Sequence, residues 1–344
     1  MRIGIAYDLK SEYLHLEALD GEYVEEFDAP QTIEAISRVL EDNGFEVSKL
    51  GGGLDIVERI KEKKPDFVFN ITEGYRGRNR EAHIPCILEM LNIPYSGSDV
   101  LTLSLTLDKI MTKKIAHYAR IPTPRYVIVD SMRGLENIGD GLEFPLISKP
   151  AWEGSSKGIY NRSLVYDKLS LEKNLVSLFE KYPDQPLIVE EYIKGREFTV
   201  GLIGNQNPSI LGIMEIRNKA KAGCDFLYSL EVKRNWENEA EYISPPEIPE
   251  ALKRQFRQYA KSAFVEFGCR DFARIDFRLS LDNRIYLLEI NPLPGLSPIS
   301  SDLVIMEKLL GISYEQLILS ILKSAFTRYK LSGVLQNTKE VIAI

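Results

Sequence analysis

Cysteine is scarce in this chain. Three occur in 344 residues, Cys86, Cys224 and Cys269, far apart and with no CxxC pair. An odd number of isolated thiols excludes a disulfide frame and a cysteine-built zinc site, and reads as reduced thiols in a cytosolic protein. Long apolar runs are also lacking, since none approaches the ~18 residues that a membrane span needs. The opening Met1-Arg2-Ile3-Gly4-Ile5-Ala6 goes straight into a strand, without the apolar stretch and cleavage site of a secretory signal. A cytoplasmic protein with no membrane partner is the expectation. Basic excess is missing too. The net charge of −7 removes the cationic footprint of bulk nucleic-acid binding, but a small anionic ligand needs only local cations. No repeat, no low-complexity tract and no GxxxxGK[ST] loop is present. Gly51-Gly52-Gly53 lacks a GxGxxG pattern and reads as a turn.

The remainder is ordinary globular sequence, 44% hydrophobic and 27% charged, long enough for two or three compact lobes. Residues 1–98 alternate as β-α-β-α-β. Strands are expected over 2–7, 45–50 and 66–71, with helices over 32–43 (capped by Gly44), 54–63 and 82–91, and a short strand over 93–96. Such alternation implies a parallel sheet covered by helices. A helical stretch over 98–120 leads to Ile121-Pro122-Thr123-Pro124, a boundary signal. Strands and a helix over 169–182 fill 125–189. Strands over 197–203 and 210–216, a polar stretch over 217–243, a helix over 249–267, a hairpin and a last helix over 314–329 follow. The expected fold is α/β in three lobes, 1–98, 99–189 and 190–331, with a loosely attached tail over 332–344.

The hairpin carries the chemistry. Residues 272–281 and 284–291 both alternate, and Asp282-Asn283 suits a two-residue primed turn. That register sets Leu281 against Arg284, Asp276 against Glu289 and Arg274 against Asn291. The opposite face is then Ala273, Ile275, Phe277, Leu279, Tyr286, Leu288 and Ile290, a core face. Directly opposed carboxylates repel, so Asp276 and Glu289 call for a cation between them. With the Asn291 amide they form a hard donor set of the kind Mg²⁺ takes, completed by phosphate oxygens. Alternatively the same residues are a solvated sheet face.

Two further segments fit a nucleotide. The apolar run Phe144–Ser148 ends in Lys149, and Gly154-Ser155-Ser156-Lys157-Gly158 follows. These small residues form either a glycine-rich flap whose amides approach phosphates or an ordinary exposed turn. The segment from Leu187 through Glu190 and Ile193 to Glu197 either runs along an adenine, with Glu197 on the ribose, or links two domains.

In order, Leu107-Asp108-Lys109, Ser148-Lys149-Pro150 with Glu153-Gly154-Ser155-Ser156, Glu190-Glu191-Tyr192-Ile193 with Gly195-Arg196-Glu197, Arg274-Ile275-Asp276 and Leu288-Glu289-Ile290-Asn291-Pro292 resemble the motifs of ATP-grasp enzymes. They are most similar to those of D-alanine–D-alanine ligases, over roughly residues 65–328. The resemblance implies an ADP-forming carboxylate–amine ligase with amino-acid substrates, using ATP and Mg²⁺ (Mn²⁺ as a substitute), and it allows a homodimer. It implies that Lys109 and Lys149 bind phosphates and that Ser155, Ser156 and Gly158 lie in a mobile flap over them. Glu190, Ile193 and Glu197 would line the adenosine pocket, and Asp276, Glu289 and Asn291 would hold the metal. Arg274 would stabilise developing negative charge, Lys233 would reach the γ-phosphate, and Ser300 would hold the second substrate's carboxylate. Removing Asp276 or Glu289 should abolish turnover and spare the fold, because it relieves a repulsion.

The departures from the pattern gather at the first-substrate pocket. The family's Gly-Gly-x-Ser-x-Glu is replaced by a stretch in which Glu12 could serve. Its His-Gly becomes Glu73-Gly74, and its Gly-Glu-Asp-Gly becomes a run containing Arg78 and Arg80. The tyrosine expected after the lid lysine is Arg234. Arg78 and Arg80 are either grips for a second carboxylate or surface arginines. The alternatives to D-alanine ligation are another amino-acid or peptide pair, a small-molecule kinase, or an ATP-binding module without catalysis.

Overall fold

The first strands are nearly continuous apolar runs, which suits a parallel sheet covered on both faces. A computed structural model describes residues 1–13, 21–133, 138, 141–219 and 226–335. In it β1 (Arg2–Tyr7), β2 (Glu46–Lys49) and β3 (Phe67–Ile71) form a parallel sheet in the order β2-β1-β3. The helices are α1 (Lys10–Tyr13), α2 (Pro30–Asp42), α3 (Ile56–Lys63) and α4 (His83–Met90). Gly44 follows α2 at φ 85°, the left-handed stop expected there. The strand expected over 93–96 is only a single bridge from Tyr95 to Val68. Of the cysteines, Cys86 is exposed and Cys269 buried, both free. Cys224, residues 220–225 of the polar stretch and the tail over 336–344 lie outside the described residues.

The expected helix over 98–120 is two helices, α5 (Val100–Leu107) and α6 (Lys109–Tyr118), broken where the Asp108 carboxylate caps α6. The cap holds Lys109 at the first position of α6. Next come β4 (Tyr126–Val129), β5 (Leu146–Pro150), β6 (Leu164–Val165), α7 (Lys168–Lys181) and β7 (Leu187–Glu191), whose strands pair antiparallel in the order β4-β7-β5-β6. A cut between 189 and 190 would fall inside β7.

The third sheet contains β8 (Gly195–Gly204), β9 (Ser209–Asn218), β10 (Ala240–Ile243), β11 (Asp271–Ser280) and β12 (Ile285–Asn291), in the antiparallel order β10-β9-β8-β11-β12. Between β9 and β10 stand the short helices α8 (Leu230–Arg234) and α9 (Trp236–Glu239). One face packs on α10 (Glu250–Glu266) through Phe256, Ala260, Ala263 and Phe264. α11 (Asp302–Leu309) was not expected, because Leu303-Val304-Ile305-Met306 offers no helical period. It lies close on β9, where a Cβ on Gly212 would meet Leu310 at 2.6 Å. α12 (Tyr314–Arg328) turns back and completes the core of the first sheet, with Ile318, Leu322 and Phe326 against Phe67 and Ile36. No single described helix is long and apolar enough to cross a membrane; the apolar pair α11 and α12 bends by 115°.

The β11–β12 hairpin differs from expectation at its tip. Ser280, not Leu281, faces Arg284, with 2.9 Å from the Ser280 amide to the Arg284 carbonyl. Three residues close the loop, and Asn283 takes the left-handed conformation at φ 62°. A bulge at Leu288 then shifts the pairing back by one residue. Arg274 therefore does face Asn291, and Asp276 does face Glu289. Beyond the bulge the core residues of β12 are Ile285 and Leu287, not Tyr286 and Leu288.

Candidate active site

The polar face of the third sheet gathers Glu197 and Thr199 from β8, Arg274, Asp276 and Arg278 from β11, and Glu289 and Asn291 from β12. Side chains answer the expected repulsion between Asp276 and Glu289. Arg274 grips Asp276 at 2.9 Å, Thr199 donates to it at 2.6 Å, and Asn291 Nδ2 donates to it at 2.9 Å. Burial opposes the charge on Asp276, but Arg274 outweighs it and holds the carboxyl below its ordinary range. Lys109 sits 2.9 Å from Glu289. Because Asn291 donates through Nδ2, its Oδ1 stays available to a cation. Asp276, Glu289 and Asn291 are thus hard oxygen donors on one face and fit a divalent ion. Among the described residues no group of three or more His, Cys, Asp or Glu is set to enclose one. Its other ligands would have to be water or ligand oxygens.

Beside this face lies a cleft of about 700 Å³, counting the part open to solvent. Lys109, Lys149, Ile193, Glu197, Leu288 and Lys233 line it, and so do Glu190 and Ser156. Glu190 lies 2.9 Å from Lys149 and 3.4 Å from Lys113. Burial pushes its pKa upward, but the two lysines prevail and lower it. Arg278 organises the far end. It donates to the Ile193 carbonyl at 2.7 Å, pairs with Glu197 at 2.9 Å and stacks on the Tyr192 ring at 4.6 Å. Lys109, Lys149 and Lys233 bring cations to the cleft, which suits an anionic ligand such as a nucleotide.

The flap after β5 is a series of turns rather than a two-stranded hairpin. Ser155 and Ser156 hold positive φ, 49° and 59°, a strained conformation of the sort found at ligand clamps. Ser156 Oγ donates to the Tyr228 carbonyl at 3.0 Å, and the Leu230 amide donates to the Ile159 carbonyl at 2.9 Å. Flap and α8 are therefore closed on each other. Gly158 departs from expectation. Its amide donates to Glu22 at 2.6 Å and a Cβ there would meet Pro150 at 2.5 Å, so it shapes the flap and offers no free N–H to a ligand.

Two further chambers adjoin the cleft. One, of about 620 Å³ counting the part open to solvent, is lined by Glu26, Glu73, Glu81, Ser155, Glu289 and Asn291 among others. The other, wider and more open, is lined by Lys10, Asp28, Arg234, Ser300, Ser301 and Asp302 among others. Arg274 and Ser155 line both, and Lys233 lines all three spaces. Burial, then Glu81 and Glu26, raises the Glu73 carboxyl well above its ordinary range. Burial raises Glu81 to about 8, against the pull of Arg80.

Three expected substrate residues need correction. Glu12 is exposed on α1 and lines neither chamber; the carboxylate that reaches in from this region is Glu26. Arg80 is 3% exposed and is taken up by Glu26 at 3.0 Å and the Trp152 carbonyl at 2.7 Å. Arg78 pairs with Asp108 at 2.6 Å over the Trp152 ring. Neither arginine lines a chamber, because each neutralises an acid of the scaffold.

A family model described as "D-ala D-ala ligase C-terminus" matches residues 115–323. The D-alanine–D-alanine ligase of Carboxydothermus hydrogenoformans is 36% identical over 299 residues, 85% of this chain and 91% of the relative. The chain belongs to the D-alanine–D-alanine ligase family. An uncharacterized protein of Sinorhizobium fredii, y4sG, is 34% identical over 310 residues, 88% of this chain and 89% of its own. The crystal structure of D-alanine–D-alanine ligase from Bacillus anthracis complexed with ATP aligns at a TM-score of 0.73 and 26% identity, covering 96% of this chain and 99% of that one. The fold is thus the α/β ATP-grasp architecture.

This ligase-family site contains residues that sequence reading passed over. Arg278 continues the period-two row of Arg274 and Asp276, so the alternation could have found it. Thr199 and Asp302 support Asp276 and Arg274, with Asp302 3.3 Å from Arg274. They lie on separate elements and have no local signal. Glu26 sits in a turn and Glu81 in a single 3₁₀ turn ahead of α4, and neither has a periodicity that points inward.

Proposed function

We propose that the chain is an ADP-forming ligase that activates one amino acid's carboxylate with ATP and joins it to the amine of a second. The observation that carries this reading is the position of Lys233. It borders the nucleotide cleft, the acid-lined chamber and the wider chamber at once. A phosphoryl group in transit from the cleft to a carboxylate would meet its ammonium.

Lys149 and Lys109 neutralise the triphosphate, and Lys109 leaves Glu289 to do so. Ile193, Glu197 and the Arg278 cluster hold the nucleoside. Asp276, Glu289 and Asn291 would hold Mg²⁺, which supplies charge neutralisation during phosphoryl transfer. A carboxylate oxygen in the acid-lined chamber attacks the γ-phosphorus, and the bond to ADP breaks. The acylphosphate is a competent acyl donor, whereas the free carboxylate is not. The second substrate's amine, as the free base in the chamber with Ser300, attacks the acyl carbon and passes its extra proton to the departing phosphate. Arg274 stabilises the oxyanion, phosphate leaves, and the amide remains. The closed flap and α8 exclude the water that would hydrolyse the acylphosphate. Such an enzyme works on cytoplasmic ATP.

Hydroxylamine tests the reading. With ATP, Mg²⁺ and an amino acid, a ligase gives ADP and a hydroxamate in equal amounts. ADP without hydroxamate points to a kinase, and tight ATP binding without ADP release points to a binding module; either outcome defeats the proposal. A second prediction concerns Arg278→Lys, which keeps the charge but loses the guanidinium fork. Charge-assisted bonds are worth about 1.5–3 kcal/mol, so KM for ATP should rise about tenfold or more, with KM for the amino acids little changed. Steady-state kinetics in both substrates decides it, and an unmoved KM for ATP would remove Arg278 from the nucleoside site.

A further inference from the structure

Two carboxyls of the acid-lined chamber have no partner in the protein. Glu26 contacts Arg80 at 3.0 Å and Lys157 at 2.8 Å. Glu153 contacts the same two cations, Lys157 at 2.7 Å and Arg80 at 3.6 Å. These four groups cancel. Glu289 is matched by Lys109 at 2.9 Å. The chamber's other cations, Lys233 and Arg274, stand at the phosphate end, and Arg274 is held by Asp276 and Asp302. Glu73 and Glu81 remain. Neither side chain has an ion pair or a hydrogen bond among the described residues, although both line the chamber. Glu81 is only 8% exposed.

A buried carboxyl without a partner is costly, and one that faces a cavity invites a cation from the ligand. An amino acid brings one α-ammonium, which answers one of the two. Burial keeps the second as the uncharged acid until another positive group on the same molecule lets it ionise into a second ion pair. We propose that the first substrate is a diamino acid, with one ammonium against Glu73, the other against Glu81, and its carboxylate toward Lys233 and Arg274. The inference rests on the ligase reading above and supplies its substrate class.

The test uses hydroxylamine as the acceptor, so that only the first site is read. Hydroxamate formation is followed with both enantiomers of alanine, 2,3-diaminopropionate, 2,4-diaminobutyrate, ornithine and lysine. At least one diamino acid should exceed alanine in kcat/KM by about tenfold or more, a difference of about 1.4 kcal/mol in transition-state binding. Glu73→Gln and Glu81→Gln should each reduce that ratio by a similar factor, with melting temperatures checking that both variants fold. Alanine matching or exceeding every diamino acid overturns the inference, as does a diamino preference that neither substitution moves. Hydroxamate from alanine alone leaves the ligase reading standing and removes only the substrate class. No hydroxamate from any amino acid removes both.

Discussion

Asp276→Ala should lower the rate of ADP release by about a thousandfold or more and should also lower the melting temperature by several degrees. The first effect follows from losing a carboxylate proposed to hold the metal, since charge neutralisation of this kind is worth several kcal/mol and each 1.4 kcal/mol is a factor of about ten. The second effect reverses what the hairpin alone suggests. Two opposed carboxylates on neighbouring strands look like a repulsion that mutation would relieve. In the folded protein Asp276 is the centre of a satisfied network, with Arg274, Thr199 and Asn291 all donating to it. Removing it leaves the half-buried Arg274 guanidinium with Asp302 at 3.3 Å as its remaining ion-pair partner. Breaking such a pair from one side costs on the order of 3 kcal/mol. An ADP-release assay and a thermal melt on the same preparation test both effects. Turnover within about tenfold of the parent would defeat the metal assignment, and a raised melting temperature would defeat the network.

The hairpin shows how far sequence reading reaches. Alternation identified Arg274, Asp276, Glu289 and Asn291 and their pairing, because period-two patterning is strong where one face is core. Yet the expected register was one residue off at the tip, and the Leu288 bulge restored it at the site. Nothing local in Leu287-Leu288 distinguishes the residue that packs on α10 from the one that lines the nucleotide cleft. The flap was legible through its small residues, although the role of Gly158 depended on Glu22, 136 positions away. The acid-lined chamber was the least legible. Glu26 and Glu73 come from irregular backbone and Glu81 from a single 3₁₀ turn, and whether an arginine such as Arg80 faces a ligand or a scaffold carboxylate depends on three-dimensional pairing alone. Charge balance within that chamber exists only once the chain is folded.

Glu307 lies beyond any sequence pattern and carries a large expected effect of pH on stability. It is 1% exposed within α11, and neither carboxyl oxygen has a hydrogen-bond partner among the described residues. Burial alone raises its pKa from 4.5 to about 7. The folded protein therefore keeps a proton that the unfolded chain releases above about 4.5. Stability from this group is full below that value, falls as pH rises toward 7, and is lost above it. The pKa difference corresponds to about 3 kcal/mol. Glu307→Gln, which cannot ionise, should match the parent at pH 4.5 and exceed it by about that amount at pH 8. Asp28, raised by burial to about 7, titrates over part of the same range, so the parent's pH curve mixes several groups. The difference between variant and parent isolates Glu307. Urea unfolding from pH 4.5 to 8 measures it, and two parallel curves would mean that the carboxyl stays solvated after all. The loss at alkaline pH falls on α11, which also carries Asp302, the partner that steadies Arg274.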